Sequence, residues 1–199
     1  MRKVVVHLQT TLDGRTSNAA GLFWEPLVFG EPETRFVNDA FRSADTWAMS
    51  RKVYEFVVPY WEQVAAGHPP PEGGPITPAR QEFADLLTGL TKVVFSTTAT
   101  DDPDTGRVVI AGDVGAQLAA MKERPGRDIV LSAGSATLGP LVSQPGLVDE
   151  YLLVVHPAVL TAGPRVFDHL THDLALDLVH AEVFEAGAVI ARYRVVEPA

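Results

Sequence analysis

The sequence contains no cysteine, which removes disulfides, thiolate metal sites and cysteine nucleophiles from consideration. It lacks any apolar run near the roughly 18 residues that a membrane-spanning helix needs. The opening, Met1-Arg2-Lys3 followed by Val4-Val5-Val6, has neither the long apolar stretch nor the small-residue cleavage site of a secretory signal. A cytoplasmic protein is the expectation. Positive charge is scarce, with 16 lysines and arginines against 25 aspartates and glutamates and a formal charge of −9. Phosphate-tracking surfaces need the opposite balance, so neither nucleic acid nor a membrane is expected as a partner. No G-x-S-x-G elbow, Walker A sequence or H-E-x-x-H is present, which leaves hydrolase, kinase and zinc-protease readings without support. His169-x-x-His172, flanked by Asp168 and Asp173, reads as solvated side chains. Asp101-Asp102-Pro103-Asp104-Thr105-Gly106 has a proline and no distal glutamate, so it reads as a turn and not as a calcium loop. No metal is expected.

What is present alternates between strand and helix signals. Lys3 to Gln9 is a short β-branched run, and Pro32 opens a helix with Phe36, Val37, Ala40 and Phe41 inward. Thr46 to Met49 predicts a strand, after which Ser50 caps a short helix over Arg51 to Val57. Thr77-Pro78 starts a helix with Phe83, Leu86, Leu87 and Leu90 on one side. Strands follow at Val93-Val94-Phe95 and Val108-Val109-Ile110, then a helix capped by Asp113 and ended by Pro125-Gly126. Ile129-Val130-Leu131 is a buried strand leading to a helix from about Ser135, and Tyr151 to Val155 is apolar throughout. Leu176 to Phe184 and Ala188 to Val196 flank Glu185-Ala186-Gly187, a hairpin signature. The expectation is one α/β domain over residues 1–199. It would have three layers: a mostly parallel central sheet, helices on both faces and a C-terminal antiparallel hairpin. Gly67 to Pro75 reads as an exposed connection inside it.

In such sheets ligands gather at the carboxyl ends of the strands. Four loops then matter: those after Gln9, Met49, Phe95 and Leu131. The first holds Thr11-Leu12-Asp13-Gly14-Arg15-Thr16, where Asp13-Gly14 also suits a plain turn. The second, Ser50-Arg51-Lys52, sets two cations at a helix start, whose free N–H groups suit a phosphate, though a solvated helix start explains it equally. The third is the hydroxyl cluster Ser96-Thr97-Thr98, able to serve a ribose, a phosphate or a turn. The fourth, Ser132-Ala133-Gly134-Ser135-Ala136-Thr137, has small residues that let a backbone approach a pyrophosphate or simply pack a helix on the sheet. It is not a G-x-G-x-x-G fingerprint.

Taken in order, Leu12-Asp13-Gly14-Arg15-Thr16, Ser50-Arg51-Lys52-Val53-Tyr54-Glu55, Asp128 to Leu138, Leu147-Val148-Asp149-Glu150 and His156 to Phe167 span nearly the whole chain. This succession resembles the dihydrofolate reductase family in the wide sense. It is most similar to the reductase domain of bifunctional riboflavin-biosynthesis enzymes and its stand-alone relatives. The resemblance implies a dihydrofolate reductase-like fold, NADPH as hydride donor and a small heterocycle or its sugar adduct as substrate. It assigns phosphate contacts to Arg51, with Ser50 and Lys52 at the helix start, and the adenosine ribose and 2′-phosphate to Ser96, Thr97 and Thr98. It places the pyrophosphate on Ala133, Gly134, Ser135, Ala136 and Thr137. The loop of Asp13 and Gly14 would cover the nicotinamide and face the substrate, with Asp13 as proton donor and Thr11 and Trp24 lining the substrate side. A homodimer is also implied. Departures are visible: Ser50 stands where the family has glycine, and the glycine pair after the buried strand is reduced to Ala133-Gly134. Glu31, Glu33 and Asp39 lie where a folate-gripping carboxylate would sit, without its pattern. Two other readings remain open: a pterin or folate reductase of the same fold, and a nucleotide-binding relative without turnover.

Overall fold

A computed structural model describes residues 1–22, 27, 30–69, 75–97 and 107–196. The elements run β1 (Val4–Thr11), α1 (Glu31–Arg42), β2 (Ala44–Ser50), α2 (Arg51–Ala65), α3 (Pro78–Gly89), β3 (Thr91–Phe95) and β4 (Arg107–Ile110). They continue with α4 (Val114–Lys122), β5 (Asp128–Ser132), α5 (Ser135–Val142), β6 (Glu150–His156), β7 (Ala175–Val183) and β8 (Val189–Val196). One eight-stranded sheet has the order β4-β3-β2-β5-β1-β6-β8-β7. The first six strands in that order are parallel, and the β7–β8 hairpin joins antiparallel through β8 against β6. This is the mixed α/β architecture the alternation predicts.

Alternate residues of each strand feed two cores, because side chains of a strand point to opposite faces in turn. Val4, Val6, Leu8, Ile129 and Leu131 pack under α4 and α5 through Leu118, Leu138 and Leu141. Val5, Trp47, Met49, Val130 and Leu152 pack under α1, α2 and α3 through Val37, Phe41, Val58, Phe83 and Leu87. Phe41 anchors the second core, edge-on to His7, Trp47 and Phe83 at centroid distances of 5.3, 6.0 and 5.1 Å. Such a phenyl contributes on the order of 3 kcal/mol through burial and packing.

Two boundaries differ from the sequence reading. β1 extends past Gln9 to Thr11, because its pairing with β6 continues to Thr11 against His156. α2 does not stop near Val57 but runs through Pro59 to Ala65. The proline removes one helix hydrogen bond, but Val58 and Val64 are buried and Trp61 stacks edge-on against Phe83 at 4.7 Å. Tertiary packing outweighs the local break. Among the described residues no helix is long and apolar enough to cross a membrane.

The end of the sheet where the parallel strands begin is closed by ion pairs. Glu150 lies between Lys3 and Arg192, and the buried Lys122 ammonium binds Asp149 and the carbonyls of Gly146 and Leu147. The opposite end, where these strands finish, is where loops and helix starts converge.

Candidate active site

β2 and β5 are neighbours in the sheet, with Met49 against Ser132. The chain leaves β2 into α2, which belongs to one core, and leaves β5 into α5, which belongs to the other. Adjacent parallel strands whose following helices depart to opposite faces open a crevice at their carboxyl ends, where open α/β sheets bind ligands. Arg51 and Gly134 therefore stand on one rim of the molecule, at the ends of adjacent strands. β3 ends beside them, with Phe95 against Ser50, so Ser96 and Thr97 border the same rim. Thr98 and Trp24 lie outside the described residues.

The two helix starts differ. At α2, the Ser50 hydroxyl accepts the Val53 N–H at 3.4 Å, the usual N-cap arrangement. Neither cation there is idle: Arg51 pairs with Glu55 at 2.9 Å, and Lys52 donates to the Gly21 carbonyl at 2.6 Å. Lys52 thus ties the segment after β1 to the α2 start. α5 begins at Gly134 with no side-chain cap, whereas α2, α3 and α4 are capped by Ser50, Thr77 and Asp113. A Cβ added at Gly134 would meet nothing within 4 Å. Gly134 and Ala136 are exposed while Ala133 and Ser135 are buried, and the Thr137 N–H turns back to the Gly134 carbonyl at 3.0 Å. The α5 start is consequently an open set of backbone donors with room for a bulky anion beside it.

The rim over β1 and β6 is built from charge. At the end of β1, Asp13 Oδ1 accepts the Thr11 hydroxyl at 2.6 Å and the Leu160 N–H at 3.3 Å, while Oδ2 accepts from Arg15 Nε at 2.8 Å. Arg165 donates to the Asp13 carbonyl at 3.0 Å. The Arg15 guanidinium continues to the carbonyls of Leu160 and Gly163. Backbone bonds from Leu12 to Ala158, Thr16 to Pro164 and Val166 to Gly14 zip the two loops together. Gly14 has φ 76° and Gly163 φ 125°, and a Cβ on Gly163 would overlap the Ser17 carbonyl oxygen. Only glycine allows that approach.

This clamp revises the role expected of Asp13. The Thr11 hydroxyl above all, then the Leu160 N–H and Arg15, hold its carboxyl below the ordinary aspartate range. A carboxylate so held anchors the rim loops through the bonds it accepts. Thr11 is 3 % exposed and gives its hydroxyl proton to Asp13, so it supports the loop and is not free to donate to a substrate. His156 is fully buried at the end of β6. Three features escaped the sequence reading: the pairing of Asp13 with Arg15, the reach of Arg165 to it, and the hydrogen bond from Trp47 Nε1 to Ser132 Oγ at 3.0 Å. The Gly-x-Arg-x-Phe stretch at 163–167 was the only available signal for Arg165.

Comparison with known proteins fits this geometry. Residues 2–190 match the family profile of the RibD C-terminal domain. The chain belongs to that family. YyaP of Bacillus subtilis, an uncharacterised protein, is 27% identical over 189 residues, covering 94% of this chain and 92% of its own. Among solved structures, a Shewanella protein assigned by name to riboflavin biosynthesis superposes with a TM-score of 0.68 at 20% identity, covering 98% of this chain and 99% of that one. The Thermotoga maritima diaminohydroxyphosphoribosylaminopyrimidine deaminase/5-amino-6-(5-phosphoribosylamino)uracil reductase gives 0.66 at 15% identity, with 98% of this chain but 57% of that one covered. Enterococcus faecalis dihydrofolate reductase, solved with NADP(H), gives 0.60 at 12% identity over 98% and 97% of the two chains. The RibD C-terminal domain therefore has the dihydrofolate reductase-like fold here, and membership points to reductase-type chemistry.

Proposed function

We propose that this RibD C-terminal domain is a cytoplasmic NADPH-dependent reductase of a small heterocycle or its sugar adduct, the nearest family chemistry being that of 5-amino-6-(5-phosphoribosylamino)uracil. The observation that supports the reading is a pair of helix starts after the adjacent strands β2 and β5, one cationic and the other without a side-chain cap. The residues fit a doubly phosphorylated dinucleotide. The uncapped N–H groups of Ser135 and Ala136 and the open side of Gly134 suit the pyrophosphate. Arg51 and Lys52 supply cations for a phosphate, and Ser96 and Thr97 supply hydroxyls for a ribose.

When bound, the reduced nicotinamide supplies the hydride, delivered to an electrophilic C=N or C=O carbon. The protein contributes position and exclusion of water. Asp13, Arg15 and Arg165 keep the rim loops fixed over the ends of β1 and β6. The proton that completes the reduction comes from solvent.

Thermal melts with NADPH, followed by NADPH oxidation with the ribosylaminouracil and with dihydrofolate, test the proposal. A Kd near 1 µM with NADPH at 100 µM stabilises the fold by about 2.7 kcal/mol. Oxidation with dihydrofolate alone would make the protein a folate reductase. Stabilisation without oxidation by any compound would make it a binding protein, and no stabilisation would end the cofactor assignment.

A further inference from the structure

The reductase reading leaves one group of side chains unused, a polar track on the sheet face beneath α1. β1 and β6 are parallel neighbours, with Gln9 against Val154 and Thr11 against His156. His7, Gln9 and His156 therefore point to one face, the face on which Phe41 of α1 stands edge-on to His7 at 5.3 Å. His156 Nε2 lies 2.6 Å from Gln9 Oε1. A carboxamide oxygen only accepts, so that nitrogen carries a proton. The Gln9 amide nitrogen then faces His7 Nε2 at 3.5 Å, the long limit of a hydrogen bond. His7 Nε2 must accept, which places the His7 proton on Nδ1.

That N–H is not spent on any of the described residues. Among the described residues Nδ1 has no partner, and it is not one of the buried polar atoms left without a bond. The ring is partly exposed on a face otherwise made of Val5, Val130, Leu152 and Val154. Burial nevertheless lowers its pKa to about 4, so the imidazole is neutral at pH 7. Gln9 also lines the recess under the rim clamp together with Thr10, Arg15, Thr16 and Ser17. Phe41 links the track through Trp47 to Ser132, the residue that leads into Ala133-Gly134. The track thus runs from the recess under the rim clamp, at Gln9, back to His7 beneath α1.

We propose that His7 is a substrate-contacting residue of this reductase. Its Nδ1–H donates a hydrogen bond to the nitrogen or oxygen beside the carbon that is reduced, and Gln9 and His156 are positioning residues that fix its tautomer. The assignment rests on the reductase reading. Hydride from the reduced nicotinamide adds to the carbon of a C=N or C=O bond, and the π pair moves to the heteroatom, which takes a proton from water. His7 neither gains nor loses a proton; it steadies the charge that grows on the heteroatom.

Two measurements test this. Long-range 1H–15N spectra of the ligand-free protein should show His7 as the Nδ1–H tautomer, and Gln9→Leu should move it toward Nε2–H; an Nε2–H form in the unaltered protein overturns the track. In turnover with NADPH and whichever panel compound the unaltered protein reduces, His7→Phe should lower kcat about tenfold, the loss of one polarising hydrogen bond, with the KM for NADPH unchanged. His7→Asn, whose amide nitrogen stands near the Nδ1 position, should recover most of that loss. A folded His7→Phe protein that turns over normally removes His7 from the site and leaves the reductase reading intact. If His7→Phe does not fold, the comparison of His7→Asn with Gln9→Leu carries the test, and a Gln9→Leu protein with unchanged kinetics refutes the positioning role. Failure of the unaltered protein to oxidise NADPH with any panel compound ends the reductase reading, and this assignment with it.

Discussion

Gly163 and Gly134 both belong to rim loops, yet the structure gives them opposite tasks. Gly163 has φ 125°, a region that costs a residue with a Cβ roughly 1–3 kcal/mol. Its added methyl would also overlap the Ser17 carbonyl oxygen, so Gly163→Ala must push the two rim loops apart. The hydrogen bond from the Thr16 N–H to the Pro164 carbonyl, 3.0 Å long, is the first to be lost, at about 1 kcal/mol. The sum is roughly 2–4 kcal/mol, which in a chain of this length lowers Tm by about 4–16 °C. Gly134 has φ −73° and ψ 164°, ordinary extended backbone, with open space where its Cβ would be. Gly134→Ala should leave Tm within about 2 °C, because Gly and Ala differ little where no cap bond is lost. If the α5 start receives a pyrophosphate, however, the methyl should weaken NADPH binding. Circular dichroism melts and NADPH titrations of both variants decide the matter. A Gly163→Ala protein that melts with the unaltered one would refute the zipped-loop reasoning. A Gly134→Ala protein that binds NADPH normally would refute the placement of the phosphate.

Other outcomes follow from the same geometry. His7 has a folded pKa near 4 against an ordinary 6.5, so the unfolded chain binds its proton first, and its contribution to stability, complete above pH 6.5, should fall away between pH 6.5 and 4. Asp13 has a lowered carboxyl pKa, so its contribution is present above the ordinary aspartate range and lost as pH falls through the folded value. Urea midpoints from pH 3 to 8 should show the upper limb flattened by His7→Phe and the lower one by Asp13→Asn; swapped effects would refute both assignments. Arg51→Ala should weaken NADPH more than NADH if Arg51 reaches the 2′-phosphate, and equally if it lies on the pyrophosphate. Glu55→Gln, which frees Arg51 from its 2.9 Å partner, should tighten NADPH a few-fold, and weaker binding would place the phosphate elsewhere. We also propose a homodimer through the β7–β8 hairpin, where Leu178 and Val183 pair with Tyr193 and Val189 and are themselves 59% and 76% exposed. Sedimentation should show a dimer that Val183→Lys dissociates, and a monomeric unaltered protein refutes it.

The parts of this molecule visible in the sequence are those fixed by local physics. β-branched runs at 4–6, 93–94 and 129–130 alternate with helix starts marked by Pro32, Ser50, Thr77 and Asp113, and that order alone implies a mostly parallel sheet. The terminal hairpin was equally legible from its turn. The extent of α2 was not, because Pro59 breaks the local signal while Trp61 against Phe83 restores the helix from a distance. The site divides in the same way. Ser50, Arg51 and Gly134 stand at junctions that sequence can find. The partners of Asp13 lie two residues away at Arg15 but also about 150 residues on, at Leu160 and Arg165. The polar track joins Gln9 to His156 over a similar separation. No window along the chain contains those contacts, so the sequence offers Asp13 as a candidate acid without the clamp that holds its carboxylate.

The charge of the whole chain then ceases to be an obstacle to an anionic coenzyme. Nine excess negative charges set an unfavourable mean field, but at 0.15 M salt that field is screened beyond roughly 8 Å. What a phosphate at the α2 start would experience is local: Arg51 and Lys52 against Glu55, whose carboxylate Arg51 already holds. The dipole ends of α2 and α5 add partial positive charge at the same place. Lys52 at the start of α2 would, without an anion, oppose that dipole, and its bond to the Gly21 carbonyl relieves this only in part. The helix start is therefore electrostatically incomplete in the same sense as the uncapped α5. A phosphate bound between them would relieve both at once, and the affinity of such a site would then depend on two helix ends and hardly at all on the formal charge of the chain.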